Sequence, residues 1–468
     1  MSSLSDDAQR TTDTNMTATN PLNICLIVLD SVRAANCSLY GARHKTTPYL
    51  STLASESTVY RQARAPSNWS LPSHVSLFTG LETHVHGVTI HHKLTPGETV
   101  FDTLVEQHGY QTGLFTENGF IATDQAGISR SFQTVETVPE IVPTEYSTGE
   151  NNPNPDGFYY ADRFLDWIDS CDGPWAGCLN LMDAHRPFEP QSKYDKWGDA
   201  EARALQSKLD HRWEWAFHSD DQPLWKLHGL ESLYDGAIRQ ADAIVESVVE
   251  KLRERDLLDE TVVIICADHG DGFGEPGALA NEPPAVSHIV PMSESLLHVP
   301  LIVRHPGRQR RRDIHAPAAL TQFRTAAIEA ATHAEVRPTA FIPDGPVIAT
   351  KQPVTGDLRR RYQRAVADAT PFLSPSRAVY VSGVTEEKST SISKKYHWGE
   401  KATQLRVYDA QSISIESQGG AEESVTQTDL HESIDQAFSK FEPASVRAER
   451  TGEVDLETKE HLEALGYF

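Results

Sequence analysis

From Asn23 to about His305, short apolar runs alternate with stretches in which apolar residues recur every three or four positions. The runs predict strands at 23–30, 111–116, 175–183, 261–268 and 299–304. The periodic stretches predict helices at about 48–56, 72–79, 98–108, 159–170 and 231–255. In the last of these, Ile238, Ala241, Ile244, Val245, Val248, Val249 and Leu252 keep near-helical spacing, which is core packing rather than chemistry. This alternation implies an α/β fold with a large mixed, mostly parallel sheet sandwiched by helices. The Pro- and Asn-rich segment 137–157 predicts a loop, and 190–229, with its Trp and charged residues, a surface insertion.

Beyond about residue 375 the pattern changes. The stretches 377–381 and 404–408 predict a small antiparallel sheet, and 455–466 a closing helix. The expected organisation is a disordered lead over 1–20, a large domain over 21–370 and a smaller C-terminal α+β subdomain over 371–468. The basic run Arg308-Gln-Arg-Arg-Arg312 reads as a solvated loop.

Two of the predicted strands end in carboxylates, Asp30 and Asp268. Open α/β sheets bind ligands at the carboxyl ends of their strands, so two such carboxylates can share one metal ion. His269 follows Asp268 directly and adds an imidazole nitrogen. Mixed oxygen and nitrogen donors suit one divalent cation, with Ca²⁺, Mn²⁺, Mg²⁺ and Zn²⁺ all compatible. Ser70, two residues before Pro72, is expected near a helix N-terminus, where the free N–H groups favour an alkoxide or a bound oxyanion. No Gly-x-Ser-x-Gly surrounds it, which disfavours a lipase-like serine hydrolase.

The ordered series Leu29-Asp-Ser-Val-Arg33, Ser70-Leu-Pro-Ser-His74, Leu77-Phe-Thr-Gly80, Asp183-Ala-His-Arg-Pro187 and Ala267-Asp-His-Gly270 resembles the sulfatase family of the alkaline phosphatase superfamily. The resemblance implies an alkaline phosphatase-like fold and a metal held by Asp30, Ser70, Asp268 and His269. It also implies Ser70 as nucleophile, and His185 and His288 as groups that contact the ester or protonate its leaving oxygen. His74 stands where the family's Cys/Ser-x-Pro-Ser-Arg motif has arginine, so it is expected to face the substrate. Three departures point toward phosphorus. Ser31 replaces a second aspartate after Asp30, His269 replaces the usual asparagine, and His74 departs from the motif read during conversion of residue 70 to formylglycine. The implied activity is metal-dependent cleavage of sulfate esters through Ser70. The alternatives are a phosphodiesterase or phosphotransferase with unmodified serine acting on glycan or lipid precursors, and a non-catalytic binder of anionic glycans.

Composition narrows the partners. A formal net charge of −24 argues against nucleic acid and anionic membranes, and leaves a sulfate or phosphate ester, free or glycan-linked, as the expected substrate. The five cysteines are an odd number, with Cys25 and Cys266 inside predicted core strands. No segment has the length and apolarity of a membrane span. A cytoplasmic protein is the resulting expectation, and its acidity suits a high-salt setting.

Overall fold

The apolar runs become the centre of one sheet. A computed structural model describes residues 20–147, 154–209, 212–289, 292–382, 391–418 and 425–449. Its main sheet has eight strands, in the order Arg312–Ala319, Ser57–Arg64, Leu301–Arg304, Thr261–Cys266, Asn23–Leu29, Trp175–Leu181, Gln111–Thr116, Thr134–Glu136. Leu301–Arg304 runs antiparallel to both neighbours, and the other adjacent pairs are parallel. Every residue of Asn23–Leu29 and of Thr261–Cys266 is buried, as expected for strands covered on both faces. Cys25 and Cys266 lie within them as free thiols.

Three strands of this sheet were not anticipated, among them the short edge strand Thr134–Glu136. Ser57–Arg64 reads Ser-Thr-Val-Tyr-Arg-Gln-Ala-Arg, and its buried Gln62 and Arg64 break the apolar signal a core strand normally carries. Arg312–Ala319 is an edge strand with an exposed start, so it shows no apolar run until Ala318. The basic run before it is a solvated turn, as expected, except that Arg312 opens the strand.

The longest helix, Leu227–Glu254, buries the apolar stripe read from the sequence and begins a turn earlier than expected. Its Tyr234 hydroxyl donates to the Ser31 carbonyl at 2.7 Å and accepts from the Arg33 amide at 2.9 Å. The helix therefore braces the loop that follows the central strand.

The second sheet has five antiparallel strands, ordered Val347–Lys351, Ser376–Ser382, Ile392–Trp398, Lys401–Val407, Ile413–Ser417. Helix Gln427–Phe438 packs Leu430, Ile434 and Phe438 on Ile348, Val379 and Ala402 of one face. This sheet draws its first strand from Val347–Lys351, well before residue 371. The closing helix expected over 455–466 and the lead over 1–19 lie outside the described residues.

The stretch 190–229 is more than a surface insertion. It forms helices Ala200–Gln206 and Glu214–His218 and buries Trp213, Trp215 and Phe217. Trp215 packs edge-on against Tyr362 and Phe372 in a small separate core, while Trp213 and Phe217 join the main core. Among the described residues no helix is long and apolar enough to cross a membrane.

Candidate functional site

Register brings the two acids together. In the parallel pair Asn23–Leu29 and Thr261–Cys266, Val28 lies opposite Cys266, so two residues further on Asp30 and Asp268 leave the same edge side by side. On the other side Val28 is opposite Asn180 of Trp175–Leu181, which delivers that amide to the same place. Ser31 turns at φ 64°, a backbone region costly for a non-glycine residue, and its amide thereby reaches Asp268 Oδ1 at 3.1 Å. Gly270 fixes the next turn. A Cβ there would come within 2.0 Å of the Ser295 carbonyl oxygen and 2.7 Å of Arg33 Cβ.

Asp30, Asp268, His269 and Ser70 are fully buried and converge. Candidate donor atoms of Asp30, Asp268 and His269 all lie within 4.8 Å of one another, the one such group among the described residues. His269 Nε2 is 3.4 Å from Asp268 Oδ2 and 4.0 Å from Asp30 Oδ1. His269 Nδ1 donates to the Gly270 carbonyl at 2.8 Å, which fixes the tautomer and leaves the Nε2 lone pair toward the carboxylates. Burial opposes a charge on this imidazole, but Asp268 and Asp30, helped by the Gly270 carbonyl and Asp271, outweigh it and raise its pKa.

Ser70 is the first residue of helix Ser70–Thr79, and the preceding Trp69 supplies no side-chain cap. Its Oγ lies 3.1 Å from His269 Nε2 and 3.4 and 3.5 Å from the two Asp30 oxygens. Asp268 Oδ1 accepts from the amides of Ser31 and His269, whereas Asp268 Oδ2 is buried with no hydrogen-bond partner. A buried carboxylate oxygen left bare is costly. Two carboxylates, one bare oxygen, an imidazole lone pair and a hydroxyl within one shell fit a divalent cation, with Asp30, Asp268, His269 and Ser70 as the residues to hold it.

His74 lies beneath the cluster rather than across the cleft. Its Nδ1 faces the Ser70 carbonyl at 2.9 Å, its Nε2 faces Asn180 Oδ1 at 3.1 Å, and Asp268 Oδ2 is 3.6 Å away. Both ring nitrogens meet protein oxygens, and the ring is as fully buried as Ser70 itself. It occupies the arginine position of the family motif but braces the nucleophile's own helix turn.

His185 and His288 form a second layer. Their ring centroids are 5.7 Å apart, and His288 lies 5.0 Å from His269. Burial pulls His185 down to about 3, opposed by Asp30, and pulls His288 well below its ordinary value, aided by Arg186 and His269. Both are neutral rings. His185 Nδ1 donates to the Arg186 carbonyl at 2.9 Å. Arg186 pairs with Glu214 at 2.7 Å and donates to Ser287 Oγ at 2.8 Å. Arg33 does not pair with a strand-end carboxylate; it bridges Glu231 and Glu275 and so anchors the Asp30 loop from outside.

Two residues of the site escaped the sequence reading. Asn118 Nδ2 donates to Asp30 Oδ2 at 3.1 Å while its Oδ1 caps the Phe120 amide. Asn180 Nδ2 donates to Thr116 Oγ1 at 3.0 Å and approaches Asp30 Oδ2 at 3.4 Å. For Asn118 a signal existed: an Asn before Gly just past a predicted strand is an N-cap at the sheet's carboxyl edge. Asn180 sits inside a buried strand, and only its polarity marks it.

Residues 22–334 match the family described as Sulfatase. Among curated relatives, arylsulfatase K of Mus musculus is 21% identical over 342 residues, covering 65% of this chain and 60% of that protein. Arylsulfatase K of Homo sapiens is 21% identical over 321 residues, covering 61% of this chain and 58% of that protein. The chain thus spans about 60% of the length of the curated relatives it matches. Phosphonate monoester hydrolase of Agrobacterium radiobacter superposes with a TM-score of 0.61 at 15% identity, covering 92% of this chain and 100% of that one. A protein solved in complex with its substrate D-glucosamine-2-N,6-O-disulfate gives 0.62 at 14% identity, covering 91% and 99%. At these identities the structural likeness establishes the shared fold. With residues 22–334, two thirds of its length, matched to the family model, the chain belongs to the sulfatase family.

Proposed function

We propose that the protein is a metal-dependent ester hydrolase that cleaves sulfate esters with Ser70 as the nucleophile. The observation that carries this reading is the bare, buried Asp268 Oδ2 beside Asp30, His269 and the Ser70 hydroxyl. A divalent cation bound there lowers the pKa of a coordinated hydroxyl and offsets negative charge on the ester's non-bridging oxygens. Asn118 and Asn180 hold Asp30 in place, and the Gly270 carbonyl holds His269. Ser70 Oγ, at an uncapped helix start, attacks in line while the helix N–H groups favour the incoming oxyanion. His288, neutral at rest, can donate an N–H to the ester, whereas His185, whose one N–H is held by the Arg186 carbonyl, presents Nε2 as an acceptor that must take up a proton before passing it to the leaving oxygen.

A second reading has support of its own. Ser31, whose Oγ donates to Asp30 Oδ1 at 3.0 Å, stands where a further carboxylate would add charge, and His269 and His74 replace an amide and a guanidinium. The carboxylate lost at Ser31 is offset by the guanidinium lost at His74, so this reading rests on His74, whose departure from the maturation motif leaves Ser70 a plain serine. In that reading Ser70 works as unmodified serine on phosphodiesters or phosphonates.

Peptide mapping of residue 70, together with catalytic efficiencies for matched aryl sulfates and aryl phosphodiesters in Mn²⁺, Mg²⁺, Ca²⁺ and Zn²⁺, separates the two. Dominant sulfate turnover supports the first reading, and an unmodified serine with dominant phosphodiester turnover supports the second. Absence of both activities in metal-loaded protein would overturn the proposal and favour a non-catalytic anionic-glycan binder.

A further inference from the structure

A cavity of about 120 Å³ opens beside the nucleophile, bounded on the site's side by Asn68, Trp69, Arg186 and His288. Engineered cavities of about 150 Å³ accept one benzene ring, so the space suits a single ring of a leaving group. Much of the wall is apolar or aromatic, with Trp69, Phe120 and Tyr362 among its side chains. Its charge is the unexpected part. Among the described residues, Arg186, Arg212 and Lys351 line it against one carboxylate, Glu214. Glu214 is committed to Arg186 at 2.7 Å.

Lys351 is the informative member. It is 4% exposed, and its ammonium donates only to two backbone carbonyls, Phe372 and Ser374, each at 2.9 Å. No carboxylate pairs with it among the described residues. Burial, with no opposing anion, pulls its pKa down to about 7. Buried lysines without a counter-ion are rare because the desolvation cost goes unrecovered, and a structural role is served equally well by an uncharged residue. Arg186 Nε, also buried, has no hydrogen-bond partner. In a chain of formal charge −24, two buried cations and the half-buried Arg212 in a pocket next to the nucleophile run against the general composition.

We infer that the cavity is a leaving-group subsite for a ring carrying a second anionic group, a carboxylate or sulfo group, bound between Lys351, Arg212 and Arg186. The inference rests on Ser70 as the ester-cleaving residue only for placing the ring as the leaving group; the anion site stands on the cavity itself. A substrate bearing two anions then meets two positive regions, the metal site at the ester and the Lys351 pocket at the far side of the ring.

Calorimetric titration reads the subsite without catalysis. The probes are phenol, 4-hydroxybenzoate and 4-hydroxybenzenesulfonate, which share one ring and differ only in the second group. Wild-type protein should bind at least one anionic probe tenfold or more tighter than phenol, and the stronger of the two identifies the carboxylate or the sulfo group. In Lys351→Met that preference should fall to threefold or less, with a smaller fall in Arg212→Gln, which also serves if the lysine variant does not fold. The sulfate esters of the same three alcohols should show the same ordering in kcat/KM, and the same loss of ordering in the variants. Equal binding of phenol and both anions by wild type, or an undiminished preference in both variants, would overturn the inference. Selective binding without turnover of any ester would leave the subsite standing and remove the hydrolase reading.

Discussion

Two buried charge clusters lie close together in this molecule, and they are built on opposite principles. In the first, Glu294 is flanked by Lys394 Nζ at 2.9 Å and Arg64 Nη2 at 2.8 Å, accepts from the Tyr380 hydroxyl at 2.7 Å, and Arg64 stacks over the Tyr380 ring at 4.8 Å. Burial would raise the Glu294 pKa, but Arg64 and Lys394 outweigh it and hold the carboxyl at about 2. The second cluster sets Asp30 and Asp268 against one imidazole and leaves Asp268 Oδ2 bare. The first cluster balances its carboxylate with two cations, although Glu294 Oε2 and Arg64 Nε make no hydrogen bond, and it ties the two sheets together. The second sets two carboxylates against one imidazole, the imbalance on which the proposed cation site rests. Burial alone therefore does not distinguish structure from function; the balance of charge within the buried shell does.

The largest expected effect comes from breaking the unbalanced cluster. Asp268→Asn should lower kcat/KM for the preferred ester by on the order of 10³-fold, the scale seen when a principal charge-stabilising group is lost. Metal-free protein should keep its unfolding temperature or gain a little, since one of two neighbouring carboxylates is neutralised. A large loss of stability in the metal-free variant would mean that the cluster is structural. Glu294→Ala should do the reverse. Leaving Arg64 and Lys394 buried without their anion should cost about 3–5 kcal/mol in denaturant unfolding. Replacing all three residues with apolar ones of similar size should recover much of that loss. Activity per folded molecule should survive in the triple variant.

The contrast also explains what the sequence could reveal. The central strands were legible because both faces are covered and their residues are apolar throughout, and parallel register then placed Asp30 beside Asp268. Ser57–Arg64 was hidden because Arg64 and Gln62 serve the paired cluster and its surroundings, so a buried strand carries a polar pattern. Arg312–Ala319 was hidden because an exposed edge strand needs no apolar run. In the site, the candidate metal ligands were suggested by their position after a strand, and the structure brings them together. Asn118 and Asn180 act through one hydrogen bond each to Asp30, a role that no spacing encodes. His74 was expected to face the ester, and the structure sets its ring nitrogens against the Ser70 carbonyl and Asn180. Its residue type suggested contact with the ester, while its position one turn along a fully buried helix directs it inward.

Metal removal sharpens the same comparison at a smaller scale. A ligand that binds only folded protein stabilises it by about 2.7 kcal/mol at a hundredfold excess over its Kd. Unfolding followed by calorimetry should therefore show a drop in Tm when chelator is added to wild type. Asp268→Asn should lose that response, and Glu294→Ala should keep it from a lower starting temperature. An equal chelator response in wild type and Asp268→Asn would place the cation elsewhere.

Glu82 shows a third way of carrying a buried acid. It is 9% exposed, accepts a hydrogen bond from Thr321 Oγ1 at 3.2 Å, and has no cation within ion-pair distance among the described residues. Burial raises its pKa from 4.5 to about 8, with Thr321 opposing, so at neutral pH the folded protein keeps this carboxyl protonated. A pKa raised on folding contributes stability that is fully present below the unfolded value of 4.5 and is lost as pH rises through about 8. Glu82→Gln substitutes a neutral group of the same shape and should remove that dependence. Its unfolding free energy relative to wild type should rise across this window by up to about 1.4 kcal/mol per pH unit, with no gain below pH 4.5. A constant offset between the two proteins from pH 4.5 to 8 would mean that Glu82 is ionised in the fold and draws on a counter-charge, as Glu294 does.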